Sequence, residues 1–310
     1  MAQAQALKLV PSHATQASAP RAAAAPPPPK PGKTARGVRR LVGSAPVWVA
    51  LALLAAVAAC AIAPGLLSPY SPTTMHSDAI LQSPGAAHRF GTDQFGRDVF
   101  AMVVHGARQS LLIGLAAVFV GCTVGVSLGL LAGYAGGWLD QLLMRLTDVW
   151  MAVPSLLLAI AIAAALKPSV ANTILAIGVA MVPRYARVLR GQALAVRGRS
   201  FIEAARAAGA SHFAILRGHV LPHCAAPILT MATLGMGTSI LAGASLSFLG
   251  LGVNDEHPDW GYLLTQGRGY MTVAWWTVTF PGLAITALVV AVNLLGDALR
   301  RRLDPRQDSR

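Results

Sequence analysis

FIEAARAAGASHFAILRGHVLP, residues 201–222, is a polar stretch set between two long apolar segments. Its residues suit a surface element and not a membrane span. Ser200 and Glu203 have the spacing of a capping box, in which the hydroxyl accepts from the backbone N–H three residues on and the carboxylate reaches back. Ala204, Ala205, Ala207 and Ala208 favour helix, and Gly209 can take the left-handed conformation that ends one. A second short helix is predicted from Ser211 to Val220, stopped by Pro222. The whole reads as a helix–turn–helix built to dock.

The segments around it are of another kind. The chain has 310 residues, of which 55% are hydrophobic and only 12% charged, with a mean hydropathy of +0.56. A soluble domain carries about a quarter charged residues, so the composition selects a polytopic membrane protein. About 20 apolar residues are needed to cross ~30 Å of hydrocarbon. Six runs approach that length: 47–67, 110–132, 149–166, 170–188, 225–249 and 273–295. The third and fourth are separated only by Lys167, Pro168 and Ser169, which predicts a tight helical hairpin. Pro154, Pro183 and Pro281 fall inside these runs, as do Gly121, Gly125 and Gly129. Packed membrane helices tolerate such residues, and glycine lets helices approach closely.

The net charge of +13 is distributed unevenly. Lys8, Arg21, Lys30, Lys33, Arg36, Arg39 and Arg40 lie before the first run. Arg184, Arg187, Arg190, Arg197, Arg199, Arg206 and Arg217 surround Glu203, and Arg300, Arg301, Arg302, Arg306 and Arg310 end the chain. With the N-terminus inside, these and Arg145 are cytoplasmic, while Arg89, Arg97, Arg108, Lys167 and Arg268 are outside. The positive-inside rule thus predicts six spans with both termini cytoplasmic, and places Glu203 on the side where ATP is found. The charge is a topology signal. No basic face is combined with base-stacking aromatics, so the expected surroundings are a lipid bilayer and not nucleic acid.

Catalytic chemistry is not written in these residues. Arg145, Asp148, Arg184, Arg187, Asp297 and Arg300 are read toward span ends, where snorkelling suffices, and Arg145 and Asp148 have the spacing to pair on one helix face. No His/Glu metal set, nucleophile elbow or catalytic carboxylate pair is present, so no catalytic residue, metal or cofactor is expected. Cys60, Cys122 and Cys224 read as small apolar residues. Gly32-Lys33-Thr34 has the end of a phosphate loop without its preceding glycine or strand. The lipobox-like Val57-Ala58-Ala59-Cys60 follows too long a polar region for a signal peptide, and is read as part of an uncleaved first span.

Residues 88–108, HRFGTDQFGRDVFAMVVHGAR, fall in the longest external connection. Gly91, Thr92, Asp93, Gly96, Arg97 and Asp98 alternate turn formers with charges, and Arg97 can pair with Asp93 or Asp98 to brace a folded loop. This stretch closely resembles the GTDxxGRD signature of the dipeptide/oligopeptide/nickel branch of ABC importer permeases. Residues 201–222 resemble the EAA loop of the same proteins: Glu-Ala-Ala, a glycine four residues later, then Leu-Pro. LAGYAGGWLDQLLMRLTDVWMAVPSLLLAI (131–160), ASLSFLGLGV (244–253), PDWGYLL (258–264) and the closing stretch 275–305 continue the likeness, which covers about 63–306. Asp255-Glu256-His257 departs from it, standing where relatives have a neutral turn.

The resemblance implies an all-α integral membrane protein of the six-helix type I permease fold. It would divide into a disordered tail (1–45), a first helix and external loop (46–107), a permease core (108–298) containing the loop 200–222, and a C-terminal tail (299–310). It implies a bacterial inner-membrane importer subunit, itself not an enzyme, with a second homologous permease, two ATP-binding cassette ATPases and an external solute-binding protein as partners. Glu203, Ala204, Ala205, Arg206, Gly209, Leu221 and Pro222 would form the ATPase-coupling element. The implied cargo is di- or oligopeptides, with nickel, glutathione or another small solute as alternatives on the same fold. A secondary transporter would carry ionisable residues at mid-span, and a membrane scaffold has no use for a docking loop hinged at Gly209.

Overall fold

The structure is a computed structural model that describes residues 45–252 and 258–303. The expected N-terminal tail, the acidic turn Asp255-Glu256-His257 and the last seven residues lie outside it. The main elements of the described chain are helices, and the one β contact in it is an isolated bridge between Thr92 and Asp98. In order these are α1 (Ala45–Ile62), α2 (Val99–Ala135), α3 (Gly137–Met151), α4 (Ser155–Ala165), α5 (Val170–Arg197), α6 (Ser200–Ala207), α7 (His212–Ile215), α8 (Leu221–Phe248), α9 (Trp260–Gly267) and α10 (Trp276–Leu303).

Each of the six apolar runs falls on helix, but the runs differ in kind. Three helical stretches are long and apolar enough to cross a membrane: Val99–Ala135, His212–Phe248 and Trp276–Arg301. The 149–166 run is broken near Pro154, where α3 and α4 meet at 85° and together make a fourth crossing if taken as one bent span. The apolar part of α1 is shorter, Pro46–Ile62. Helix α5 has the length, at 28 residues, but carries Arg184, Arg187, Arg190 and Arg197. α4 turns back into α5 through the expected short connection, where Ser169 caps α5 by accepting from the Asn172 N–H at 3.2 Å. α2 starts at Val99, so the division placed at 107/108 falls inside a helix.

The seam between α2 and α5 is made of glycine. Gly121, Gly125, Gly129 and Gly133 recur every fourth residue and therefore share one face of α2. A Cβ added at Gly121 would lie 2.7 Å from the Gly178 carbonyl oxygen, at Gly125 2.7 Å from that of Val182, and at Gly133 2.6 Å from that of Arg190. At Gly129 it would meet the Ala186 carbonyl oxygen and, at 2.9 Å, the Leu189 Cβ. Two helices in lipid gain no hydrophobic driving force from each other, so close backbone packing of this kind supplies the association.

Three clusters of buried side chains run along the bundle. One joins Val99, Met102, Trp260, Trp276 and Leu288 beneath the 68–98 loop. A second links Ile113, Ala159, Ile177 and Leu246 at mid-height. The third sets Leu189 and Val196 of α5 against Ile202, Ile215 and Val220 of the polar hairpin.

Replacing Gly129 by Ala should lower stability by about 1–3 kcal/mol through overpacking. Gly191→Ala, on α5 with open space around it, should be neutral or stabilising by up to about 1 kcal/mol. Thermal melts of the two variants in detergent make the comparison, and equal melts would refute the seam.

Candidate functional site

The 68–98 loop is a folded platform. Asp93 is its hub: one carboxylate oxygen accepts from the Phe95 and Arg97 N–H groups at 2.9 and 2.8 Å, and the other accepts from Arg97 Nε at 2.6 Å. Of the two partners open to Arg97, it is thus Asp93 that is used, with both side chains buried. Asp98 instead caps α2, accepting from the Ala101 N–H at 2.7 Å, and its second oxygen meets His88 Nδ1 at 2.8 Å. Thr92 donates its hydroxyl to the Ala79 carbonyl and takes the Gln82 N–H at 2.8 Å. Gly91 and Gly96 both have positive φ, and a side chain at Gly96 would strike the His76 carbonyl. Trp276 Nε1 donates to the Thr92 carbonyl at 2.9 Å, tying the platform to α10.

The polar hairpin keeps its predicted shape with different ends. Arg199, in extended conformation, caps α6, and Ser200 is already helical; no side-chain cap forms, so the Ser200–Glu203 box is absent. The reason is that a capping hydroxyl must sit on the extended residue, and the Gly198-Arg199 turn leaving α5 puts that residue one position early. The other end of α6 behaves as expected. Gly209 has φ +83°, its N–H bonds to the Arg206 carbonyl, and the Ala210 N–H bonds to that of Ala205, the paired closure of a Schellman motif. Ser211 then caps α7 through the Ala214 N–H at 3.2 Å.

Pro222 does not stop the second helix. α7 widens into a π-helical turn at Leu216–Val220, in which the Leu221 N–H reaches back to the Leu216 carbonyl, and α8 continues from it. The wider turn makes room for the proline ring and for its missing donor.

Ile202, Ile215 and Val220 are fully buried and hold the hairpin against α5. Phe201 stacks on His219 and His223 at ring-centroid distances of 6.3 and 5.0 Å. Tyr134 at the end of α2 bonds His212 at 3.0 Å and underlies the Arg206 guanidinium at 5.8 Å. Glu203, Ala204, Arg206, Gly209, Leu221 and Pro222 are exposed, whereas Ala205 packs inward. Sequence reasoning missed Phe213, which is 70% exposed at the hairpin tip; a large aromatic on an otherwise polar turn was the available signal.

Above the hairpin a cavity of about 620 Å³ opens between the α3–α4 bend, α5 and α8. Thr238 lines it, and Ser239 does not: that side chain is buried, bonded to the Gly235 carbonyl at 2.8 Å. Arg184 lies halfway along α5 and lines the cavity, because α5 continues nine residues past the apolar run that ended at 188. Asp148 pairs with Arg187 at 2.6 Å and not with Arg145, and Asp140 takes Arg190 in a two-pronged pair at 2.5 and 2.7 Å. These pairs join α3 to α5 and are separated by 39 and 50 residues, so helix spacing held no sign of them.

The family model described as "binding-protein-dependent transport system inner membrane component" matches residues 125–309. The chain belongs to this family. The permease is 44% identical over 261 residues to the dipeptide transport system permease protein DppC of Alkalihalophilus pseudofirmus, across 84% of this chain and 86% of that one. It is 44% identical to the di/tripeptide transport system permease protein DppC of Pseudomonas aeruginosa, across 80% and 84%. To the glutathione transport system permease protein GsiD of Pectobacterium atrosepticum it is 43% identical, across 75% and 77%. Among solved structures, the inward-facing MetNI methionine ABC transporter matches with a TM-score of 0.54 at 20% identity, across 65% of this chain and 95% of that one; this shows the fold. The permease is thus a multi-pass inner-membrane protein of the type I ABC importer fold, a class that works with ATPase and binding-protein partners.

On the platform side of the permease, Asp259 caps α9 by accepting from the Tyr262 N–H at 2.7 Å, and takes the Ser247 hydroxyl at 2.8 Å. Burial pushes its pKa up to about 7 despite these two donors. A carboxyl held protonated by the fold but ionised when unfolded makes unfolding easier as pH rises. Stability should therefore fall between about pH 4 and pH 7 in the wild type. Asp259→Asn, whose amide cannot ionise, should flatten that slope in melts taken across the range, and an unchanged slope would contradict the assignment.

Proposed function

We propose that this chain is the permease subunit through which an ATP-driven importer passes di- or oligopeptides handed over by an external binding protein. The single observation that carries the coupling half is the hairpin. Two short helices locked by a Schellman turn are held by Ile202, Ile215 and Val220, and a face of Glu203, Ala204, Arg206 and Gly209 is left free for a partner. The cargo half rests on the named peptide permeases among the relatives. The glutathione relative is consistent with it, since glutathione is itself a peptide.

In this reading both termini are cytoplasmic, six segments make up the membrane domain, and the chain pairs with a second permease over two ATPase subunits. The permease core, with its loop at 200–222, follows the first helix and external platform. ATP hydrolysis belongs to the partners. Closure of the two ATPases draws the docked hairpins together, the helices reorient to receive peptide from the binding protein, and hydrolysis returns them inward. Glu203, Ala204, Arg206 and Gly209 meet the ATPase directly, and Ala205 sets their orientation from behind. Leu221 and Pro222 position the return into α8, and Phe213 is the aromatic anchor of the contact. Gly91, Thr92, Asp93, Gly96, Arg97 and Asp98 brace the outer platform and do not contact cargo.

Glu203→Arg combined with Gly209→Pro should abolish peptide uptake and release the ATPase subunits on copurification, with membrane insertion intact. Undiminished uptake would sink the coupling role. Phe213→Ala alone should weaken the ATPase complex by about 2 kcal/mol, roughly thirtyfold in Kd, as expected for a buried aromatic anchor; titration of detergent-purified subunits measures it.

A further inference from the structure

We propose that Arg184 receives the carboxylate of the transported peptide inside the cavity between the α3–α4 bend, α5 and α8. The assignment rests on the peptide reading above and adds a recognition residue to it.

Helix α5 carries four arginines along its length, and the structure treats them differently. Arg187 and Arg190 are each met by an aspartate on α3. Arg184 makes no ion pair or hydrogen bond among the described residues, and its side chain is exposed into the cavity. It is also the deepest of the four from the hairpin end, halfway along the helix. An unpaired guanidinium on a membrane-protein helix is costly where it faces lipid and persists where it lines an aqueous cavity or meets a substrate. Among the described residues the fold supplies acids opposite its two neighbours and none opposite this residue.

The remaining lining is complementary to the rest of a peptide. Thr238 and Ser245 donate their hydroxyls to carbonyls of their own helix, at Gly235 and Leu241, both at 2.8 Å. Their oxygens are thereby left as acceptors, suited to an ammonium group or a peptide N–H. Trp150, Met181 and other apolar residues complete the wall, and 620 Å³ falls within the range of about 300–1,000 Å³ typical of small-ligand sites. Among the described residues no carboxylate, imidazole or thiol lines the cavity. A bare divalent cation would find one positive charge and no ligand of the kind such ions take. A zwitterion with a terminal carboxylate finds a guanidinium that can hold it with two parallel hydrogen bonds.

The test uses the complete transporter, assembled with its own partner subunits and binding protein in liposomes, and alanyl-alanine as probe. The quantity read is peptide accumulated per ATP hydrolysed. Arg184→Gln should lower that ratio about tenfold or more, the loss expected for one charge-assisted contact, and Arg184→Lys should recover part of it. A Gln variant with the wild-type ratio would overturn the assignment, whether uptake is unchanged or uptake and hydrolysis fall in step, as a purely structural defect would make them. If the wild type accumulates neither alanyl-alanine nor penta-alanine in the same assay, the peptide reading fails, and this assignment with it.

Discussion

The contact between the backbones of α2 and α5 sets the position of almost everything else. Four glycines at four-residue spacing let carbonyl oxygens of α5 approach to distances at which even a methyl group would collide. Lipid offers no penalty for leaving apolar side chains unburied, so helices in a bilayer are held by the density of their contacts and not by exclusion from water. Once α5 is seated in this groove, the direction of each of its arginines follows. Arg187 and Arg190 point toward α3, whose aspartates then fix that helix across the bundle. Because α3 is pinned there, the chain must turn sharply before it can climb again, and the 85° break near Pro154 opens the cavity. The seam is a packing feature, yet it determines where charge and empty space occur.

At the opposite end the organising force is the satisfaction of buried polar groups. Asp93, Arg97, Asp98 and Asp259 are all largely buried, and each carboxylate oxygen finds a donor. In a low-dielectric setting such carboxylate pairings are strong and expensive to break, and of these side chains only Arg97 leaves a buried atom, Nη2, without a partner among the described residues. Two tryptophans bind it to the helices: Trp276 Nε1 to the Thr92 carbonyl, and Trp260 Nε1 to that of Val103 at 2.8 Å. The platform is therefore continuous with α2, α9 and α10, and residues with the look of a surface recognition motif serve as its internal bracing.

What the sequence disclosed depended on how local the cause was. The membrane class, the polar helical hairpin, the left-handed Gly209 and the close-packing role of Gly121, Gly125 and Gly129 all follow from composition or from residues a few positions apart. Gly133 completes the glycine row but lies past the end of the apolar run, where attention to hydropathy stops. The cap at Ser200 was misplaced by one residue because the turn from α5 sets which residue is extended. Pro222 was read as a stop because a proline breaks an α-helix, and a π turn is not visible in a residue pattern. Asp148 was given to Arg145, its neighbour on the same helix, when the partner lay 39 residues away on α5. The middle position of Arg184 in its helix is hidden from hydropathy, because the apolar run stops at Val188 whereas the helix runs on to Arg197.

That continuation bears on how force can travel. The C-terminal end of α5 is not a loose lead into the hairpin: only Gly198 and Arg199 separate it from α6, and the Arg199 N–H is bonded back to the Val196 carbonyl at 3.1 Å. Leu189, Ala193 and Val196 share one buried cluster with Ile202, Ile215 and Val220. A hairpin joined by two residues and packed against the preceding three turns cannot swing independently of the helix that carries it. Displacing the exposed face of Glu203 and Ala204 therefore displaces α5 as a rod, and α2 with it through the glycine seam. Arg184 lies on the same rod, roughly 20 Å from its C-terminal end at 1.5 Å per residue. The side chain facing the cavity and the exposed face of the hairpin are thus joined through one continuous helix and one buried cluster, so a shift of either is passed to the other through α5.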